Sequence, residues 1–185
     1  MRAEADRLYL RDLIWGGLWG ALALFLPLLL HTFGLGVHLM PMFLPLLIAA
    51  CTLRISTALI LAVFIPLLSG AVTGMPPLFP PVAPLMALEG AAMVLWLAGS
   101  YRRRKWNLYL SLAAAFVIQR LVRVGFILLA GRVVELPSGW LIIPALLWGL
   151  PGAAIQTAVI PGVVSKIEER FGTAGLPAET GEAAR

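Results

Sequence analysis

The chain has 185 residues, of which 61% are hydrophobic and 12% are charged, with a net charge of +5. Soluble domains average about 45–50% apolar and about 25% charged residues, so the composition excludes an ordinary soluble domain and indicates an integral membrane protein. The positive residues lie mostly in short segments between apolar runs. This pattern is typical of membrane topology signals and argues against a nucleic-acid partner.

Six apolar runs follow one another along the chain, and a membrane helix needs about 20 such residues, with a range of about 17–25. The runs are Leu13–Leu30, Met40–Leu53, Ile55–Ser69, Val82–Leu97, Leu108–Ala130 and Trp140–Val164. We therefore predict an all-α membrane domain of six transmembrane helices over residues 1–164, although the second and third runs are short. Residues 165–185 are polar and are predicted to form a partly disordered tail.

An uncharged break, Gly70–Pro84, separates the third run from the fourth. It contains several prolines, and proline lacks a backbone donor and clashes with the preceding helical turn, so the break cannot be helical throughout. We expect a rigid loop that covers a site. Phe79 lies within it and is interpreted either as a lid residue or as a membrane contact.

Lysine and arginine are distributed unequally between the two sides of the predicted bundle. Of the 14 such residues, eleven lie at the termini or after the second and fourth runs, two lie within the fifth run, and one, Arg132, lies on the opposite side. Positive residues remain cytoplasmic. Both termini are therefore predicted to be cytoplasmic, and segments 31–38, 70–84 and 131–138 to face outside.

One acid and two arginines lie inside apolar runs at a similar predicted depth. Glu89 is about 12 Å below the outer end of the fourth run, and Arg123 and Arg120 are about 10 and 15 Å below the outer end of the fifth. An ionisable side chain in the membrane is costly and by default marks a functional site. Because Gln119, Arg120 and Arg123 share one side of a helix, we predict a polar ligand pocket here.

Two interpretations of these charges remain open. In the first, Glu89 and an arginine form a structural pair that holds the fourth helix against the fifth. In the second, which we favour, the arginines bind a ligand, because they outnumber the acid by one and a buried charge is costly without a partner. A guanidinium suits bidentate contact with carboxylate or phosphate and stacking on a ring, so an anionic or ring-bearing ligand is expected.

The first run contains small residues spaced by four, which allow close approach of another helix. These residues are Gly16, Gly17, Gly20 and Ala21. The spacing is common in membrane helices, so by itself it is a weak indication of a partner interface.

The remaining candidates carry weaker signals. His38 is a candidate for substrate contact, and Trp140 is placed as an interfacial anchor. Gln156 is expected to lie too far toward the cytoplasm to join the pocket and to hydrogen-bond a neighbouring helix instead. The chain has only two histidines, so we predict no metal site. It has no Gly-rich phosphate loop and no nucleophile–base pair in apposed runs, so we expect no ATP hydrolysis, no enzymatic activity and no cofactor.

Three short motifs together resemble a known family. They are Met40–Pro41, the Gly-Met-Pro-Pro-Leu-Phe-Pro run at Gly74–Pro80, and the Met-x-x-Glu-Gly run at Met86–Gly90. The stretch that holds them resembles the substrate-binding S-components of energy-coupling factor (ECF) vitamin transporters. The remainder of the chain is similar in helix number and length.

The resemblance implies a membrane subunit that captures a vitamin or vitamin precursor outside a prokaryotic cell and lies in its cytoplasmic (inner) membrane. A transmembrane coupling subunit and cytoplasmic ATPases would be its partners. It implies a substrate pocket that here corresponds to Glu89, Arg120 and Arg123, with His38, Phe79 and Trp140 as weaker members. It also implies that the small residues of the first helix contact the coupling subunit. The alternative is a non-transporting six-helix scaffold of a cell-envelope or cell-shape complex.

Overall fold

The computed structural model describes residues 2–79, 81–134 and 147–171, and these ranges contain helices and connections but no β-strand. The helices are α1 (Arg2–Thr32), α2 (Gly36–Leu39), α3 (Phe43–Thr52), α4 (Ile55–Thr73), α5 (Val82–Leu97), α6 (Leu108–Val134) and α7 (Leu150–Phe171). A π-helical turn, Ala98–Arg103, extends α5. The all-α prediction is confirmed for these residues.

Five helices within the described residues are long and apolar enough to cross a membrane. Their membrane-length segments are Tyr9–Thr32, Ile55–Thr73, Val82–Arg103, Leu108–Leu129 and Leu150–Arg170. The chain is therefore a multi-pass membrane protein by length and hydropathy. The predicted sixth run was placed at Trp140–Val164, and its first part, 140–146, lies outside the described residues. In the structure the last described helix begins at Leu150 and continues to Phe171.

Helix α3 corresponds to the short second run and lies at the centre of the bundle. It has ten residues, so it is about 15 Å long, which is half the thickness of the bilayer core. Eight of its residues are buried, and it contacts α1, α4, α5 and α7. Phe43, Leu47 and Ile48 belong to the main hydrophobic core together with residues of the surrounding helices. Because its neighbours surround it, α3 does not need the length of a lipid-exposed helix.

The proline-rich connection is shorter than predicted. Helix α4 continues to Thr73 and α5 begins at Val82, so the loop spans residues 74–81 rather than Gly70–Pro84. The hydroxyl of Ser69 donates to the Met75 carbonyl at 2.6 Å, and a Cβ on Gly70 would lie 2.7 Å from the Pro76 carbonyl oxygen. The first part of the loop, at Met75 and Pro76, therefore lies against the end of α4.

Polar contacts at the other end of the bundle link α1 to the start of α4, and the turn after α5 to the end of α3 and to α7. The Asp12 carboxylate accepts hydrogen bonds from the backbone N–H of Arg54 at 3.0 Å and from the hydroxyl of Thr57. Arg102 donates to the Leu53 carbonyl at 2.7 Å. The neighbouring Tyr101 hydroxyl donates to Glu168 at 2.9 Å. The N-terminal part of α1 and the C-terminal part of α7 therefore lie at the same end of the molecule.

Candidate functional site: a buried carboxylate, guanidinium and amide cluster

Glu89 lies in the middle of α5 and is fully buried. Arg123 of α6 contacts both carboxylate oxygens: its Nε lies 2.6 Å from Oε1 and its Nη2 lies 2.8 Å from Oε2. The Arg123 side chain is 20% exposed. The depth estimate therefore correctly placed Glu89 and Arg123 together, and the contact is a bidentate, charge-assisted pair.

Gln119 completes the coordination of the carboxylate. Its amide nitrogen donates to Glu89 Oε2 at 3.0 Å, and its side chain is fully buried. Gln119 and Arg123 are four residues apart and therefore lie on the same face of α6. Because three donors engage the carboxylate, the desolvation cost of burying its charge is offset.

Helix α5 packs closely against α4 at Gly90, the residue that follows Glu89. Gly90, the residue after Glu89, is buried, and a Cβ there would lie 3.2 Å from the carbonyl oxygen of Ala62 on α4. The absence of a side chain at Gly90 lets the two helices approach closely. The Glu–Gly pair of the Met86–Gly90 motif thus combines a helix-packing position with the buried acid.

Met40, at the end of the short helix α2, contacts side chains of the long helices α6 and α7. It caps α2 in a left-handed conformation, with φ of 46°, and it is buried. The amide nitrogen of Gln119 lies 3.6 Å from its sulfur. Gln156 of α7 donates its amide nitrogen to the carbonyls of Leu39 and Met40, at 2.8 and 3.1 Å. We call Met40, Glu89, Gln119, Arg123 and Gln156 the Met40 cluster.

Gln156 hydrogen-bonds the end of a neighbouring helix, as predicted, but the prediction that it lies too far toward the cytoplasm to join the other polar residues is wrong. If the last helix began at Trp140, Gln156 would lie about 24 Å from its start. The helix instead begins at Leu150, so Gln156 lies about 9 Å from the start. The sequence does contain a signal for a helix start at this point, Gly149-Leu-Pro-Gly152, which the sequence-based prediction missed.

Two glycines allow α7 to approach the link between α2 and α3. Gly149 has φ of +86°, and a Cβ there would lie 2.6 Å from the Met40 sulfur. A Cβ on Gly152 would lie 2.5 Å from the Leu39 carbonyl oxygen. These close approaches position the start of α7 so that Gln156 reaches the backbone carbonyls.

The other predicted site residues are placed less centrally. Arg120 follows Gln119 on α6 and is partly buried. His38 is exposed, with its ring edge-on to Trp148 at a centroid distance of 6.5 Å. Phe79 is 80% exposed on the 74–81 loop. Trp140 lies outside the described residues. None of the described residues forms a group of three or more side chains suited to a metal ion.

The small residues of α1 divide into two lines. Gly16 and Gly20 are buried against α4, where added Cβ atoms would lie 3.1 Å from Thr57 Cγ2 and 3.2 Å from Leu61 Cδ2. Gly17 and Ala21 are exposed, and nothing lies within 4 Å of a Cβ added at Gly17. One line therefore packs α1 within the protein, and the other faces outward.

A cavity of about 350 Å³ lies at the end of the bundle away from the Met40 cluster. Its lining includes Tyr101, Asn107, Tyr109, Ser165 and Glu168. It contains none of the predicted substrate-binding residues, and its one acid is already hydrogen-bonded to Tyr101. We therefore centre the candidate site on the Met40 cluster, where charged and amide groups from three elements converge.

No protein-family model, curated protein or solved structure matches this chain. The resemblance to S-components therefore rests on the motif residues themselves.

Proposed function

We propose that this protein is the substrate-binding membrane subunit of an ECF-type importer. It would capture a vitamin or vitamin precursor outside and deliver it through a transmembrane coupling subunit and cytoplasmic ATPases. The observation that carries the proposal is the Met40 cluster, in which a buried carboxylate and two buried amides lie beside a partly exposed guanidinium. Met40 and Glu89 belong to the motifs that resemble S-components, so the motif residues and the cluster coincide.

The contacts support different roles for the three charged residues. Glu89 is buried and hydrogen-bonded through both oxygens, so its proposed role is to position Arg123 and Gln119. Arg123, which remains partly exposed, and Arg120, which is partly buried on the same helix, are the proposed ligand contacts. A carboxylate, a phosphate or an electron-rich ring fits them. His38, Phe79 and Trp140 are proposed as peripheral contacts.

The proposed topology has six spans with both termini in the cytoplasm. In it, α2 and α3 together form one broken, buried span. The end of the bundle that holds Asp12 and Glu168 also carries the basic segment Arg102–Lys105, and positive residues remain cytoplasmic. The proposed location is the cytoplasmic membrane of a prokaryote.

A second candidate function is a scaffold subunit of a cell-envelope complex. The bidentate Glu89–Arg123 contact favours it, because the contact by itself holds α5 against α6 without any ligand. A scaffold would show no saturable binding of a small molecule, and Glu89→Gln would mainly lower its stability.

The test is native mass spectrometry of gently purified protein, combined with tryptophan quenching by a panel of water-soluble vitamins. We expect a retained or titratable small molecule. Arg120→Gln should weaken its binding by about tenfold, which corresponds to the loss of about 1.4 kcal/mol. Arg120 suits this test better than Arg123, because replacing Arg123 would leave the buried Glu89 without its guanidinium.

The matched control is Lys166→Gln, which removes an exposed positive charge from α7 at the other end of the bundle. The Lys166→Gln variant should bind the small molecule with the affinity of the wild type. If no compound of the panel binds and an envelope protein co-purifies instead, the importer proposal is wrong and the scaffold function replaces it.

A further inference from the structure

The two glutamines of the Met40 cluster share an unusual pattern of hydrogen bonds. Each commits its amide nitrogen to acceptors: Gln119 to Glu89, and Gln156 to the carbonyls of Leu39 and Met40. Each leaves its amide oxygen, Oε1, buried with no hydrogen-bond donor. The side chains are 0% and 2% exposed, respectively. These are the only two glutamines in the whole sequence.

Rotating either amide would not supply the missing donor. A flipped Gln119 would place its oxygen against the Glu89 carboxylate, and a flipped Gln156 would place its oxygen against two backbone carbonyls. Both exchanges replace a hydrogen bond with a repulsive contact between acceptors. The orientation of each amide is therefore fixed by its neighbours, and each Oε1 faces away from the acceptors that hold the nitrogen.

A buried acceptor without a donor costs about 1–3 kcal/mol. The two amide oxygens come from different helices, α6 and α7, and both amides contact Met40. Met40 also supplies a soft, polarisable thioether, a side chain that adapts to flat apolar surfaces. The cluster thus combines two buried acceptors that lack donors with an adaptable apolar contact and, on the same helix as Gln119, the guanidinium groups of Arg120 and Arg123.

We propose that the substrate of this site carries at least two hydrogen-bond donors, N–H or O–H, that bind Gln119 Oε1 and Gln156 Oε1. The substrate class is a polar ring with N–H donors, such as an amide-, urea- or amine-bearing heterocycle, and its ring contacts the Met40 thioether. This inference rests on the importer function proposed above and names the recognition chemistry of the same site. Compounds that present only acceptors would leave both oxygens without donors and would bind more weakly.

The chain's composition allows a direct test. Cell-free synthesis with glutamine labelled with ¹³C at the side-chain carbonyl places the label at Gln119 and Gln156 alone. Difference infrared spectroscopy then reports both carbonyl stretches in the intact protein, without any mutation. The probes are biotin, riboflavin, thiamine and pantothenate, with nicotinate as a ring acid that has no ring N–H donor. Binding itself is followed separately by tryptophan quenching.

We expect that a probe that binds shifts both labelled carbonyl bands to lower frequency, because each oxygen then accepts a hydrogen bond. Gln119→Met and Gln156→Met each remove one band and so assign the two signals. If riboflavin binds, 3-methylriboflavin, in which the ring N–H is blocked, should bind roughly tenfold more weakly or worse.

The possible failures are distinguishable. If a probe quenches the tryptophans but both carbonyl bands stay in place, the donor inference is wrong and the importer proposal stands. If the bands of the ligand-free protein already respond to exchange from H₂O to D₂O and no probe changes them, buried water is the donor and the inference is overturned. If no probe of the wider vitamin panel binds, the proposed function fails and the inference fails with it.

Discussion

The Met40 cluster and the contacts around Asp12 use the same chemistry in different surroundings. In the cluster, Glu89 is fully buried and its two carboxylate oxygens accept three hydrogen bonds from two side chains. At the other end, Asp12 is only partly buried and accepts hydrogen bonds at the start of α4, from a backbone N–H and a threonine. The acid at a helix end retains contact with its polar surroundings. The acid in mid-helix depends entirely on protein donors, so removing a donor should cost far more there.

The largest effect is expected from Arg123→Leu. This change leaves Glu89 buried without its guanidinium, and breaking a buried ion pair costs about 3–5 kcal/mol. Thermal unfolding in detergent should show a strongly lowered midpoint. The double variant Glu89→Leu/Arg123→Leu removes both charges and should recover most of the loss. Wild-type stability in the single variant would contradict the role of Arg123 assigned here.

The second effect concerns the close approach of α7 to Leu39. Gly152→Ala would place a Cβ 2.5 Å from a backbone oxygen, and such overpacking typically costs about 1–3 kcal/mol. Gly162→Ala, on the same helix, is the matched control because nothing lies within 4 Å of its added Cβ. We expect the midpoint to fall for Gly152→Ala and to stay or rise for Gly162→Ala. Equal midpoints would mean that α7 does not approach Leu39 as closely as described.

A smaller loss is expected from Asp12→Ala. The variant removes the acceptor of the Arg54 N–H and of the Thr57 hydroxyl, and a typical hydrogen bond within a protein contributes about 0.5–1.5 kcal/mol. Ser56→Ala, at an exposed neighbouring position, should have little effect. If Asp12→Ala destabilised the protein as much as Arg123→Leu, the claim that burial makes the contacts of Glu89 more costly to lose than those of Asp12 would be wrong.

The smallest effect on stability is expected on the outward line of α1. Gly17→Leu adds a side chain where no atom lies within 4 Å of the Cβ, so the unfolding midpoint should change by no more than the equivalent of about 0.5 kcal/mol. Gly16→Leu, one residue earlier, would collide with Thr57 and should lower the midpoint. If the exposed line docks the proposed coupling subunit, Gly17→Leu should abolish its co-purification. Retained co-purification would place the partner elsewhere.

Much of this architecture is already determined by the sequence. Composition and run length identify a helical membrane protein, and the predicted and observed bounds of α5 are the same, Val82–Leu97. Counting residues from the run ends also brought Glu89 and Arg123 together. That calculation works because depth in a regular helix follows from residue number, although the predicted end at Ala130 is wrong and α6 continues to Val134.

Tertiary structure decided the rest. The role of α3 as a buried central helix cannot be read from its ten apolar residues, because burial depends on the helices that surround it. Gln156 joined the cluster because Gly149 and Gly152 let α7 begin against Met40 and Leu39. The same holds for Gly16 and Gly17, which are adjacent in sequence but face α4 and the exterior, respectively. Local sequence determines which helices form. Packing between distant segments determines which polar atoms find partners and which, like the two glutamine oxygens, are buried without a hydrogen-bond donor.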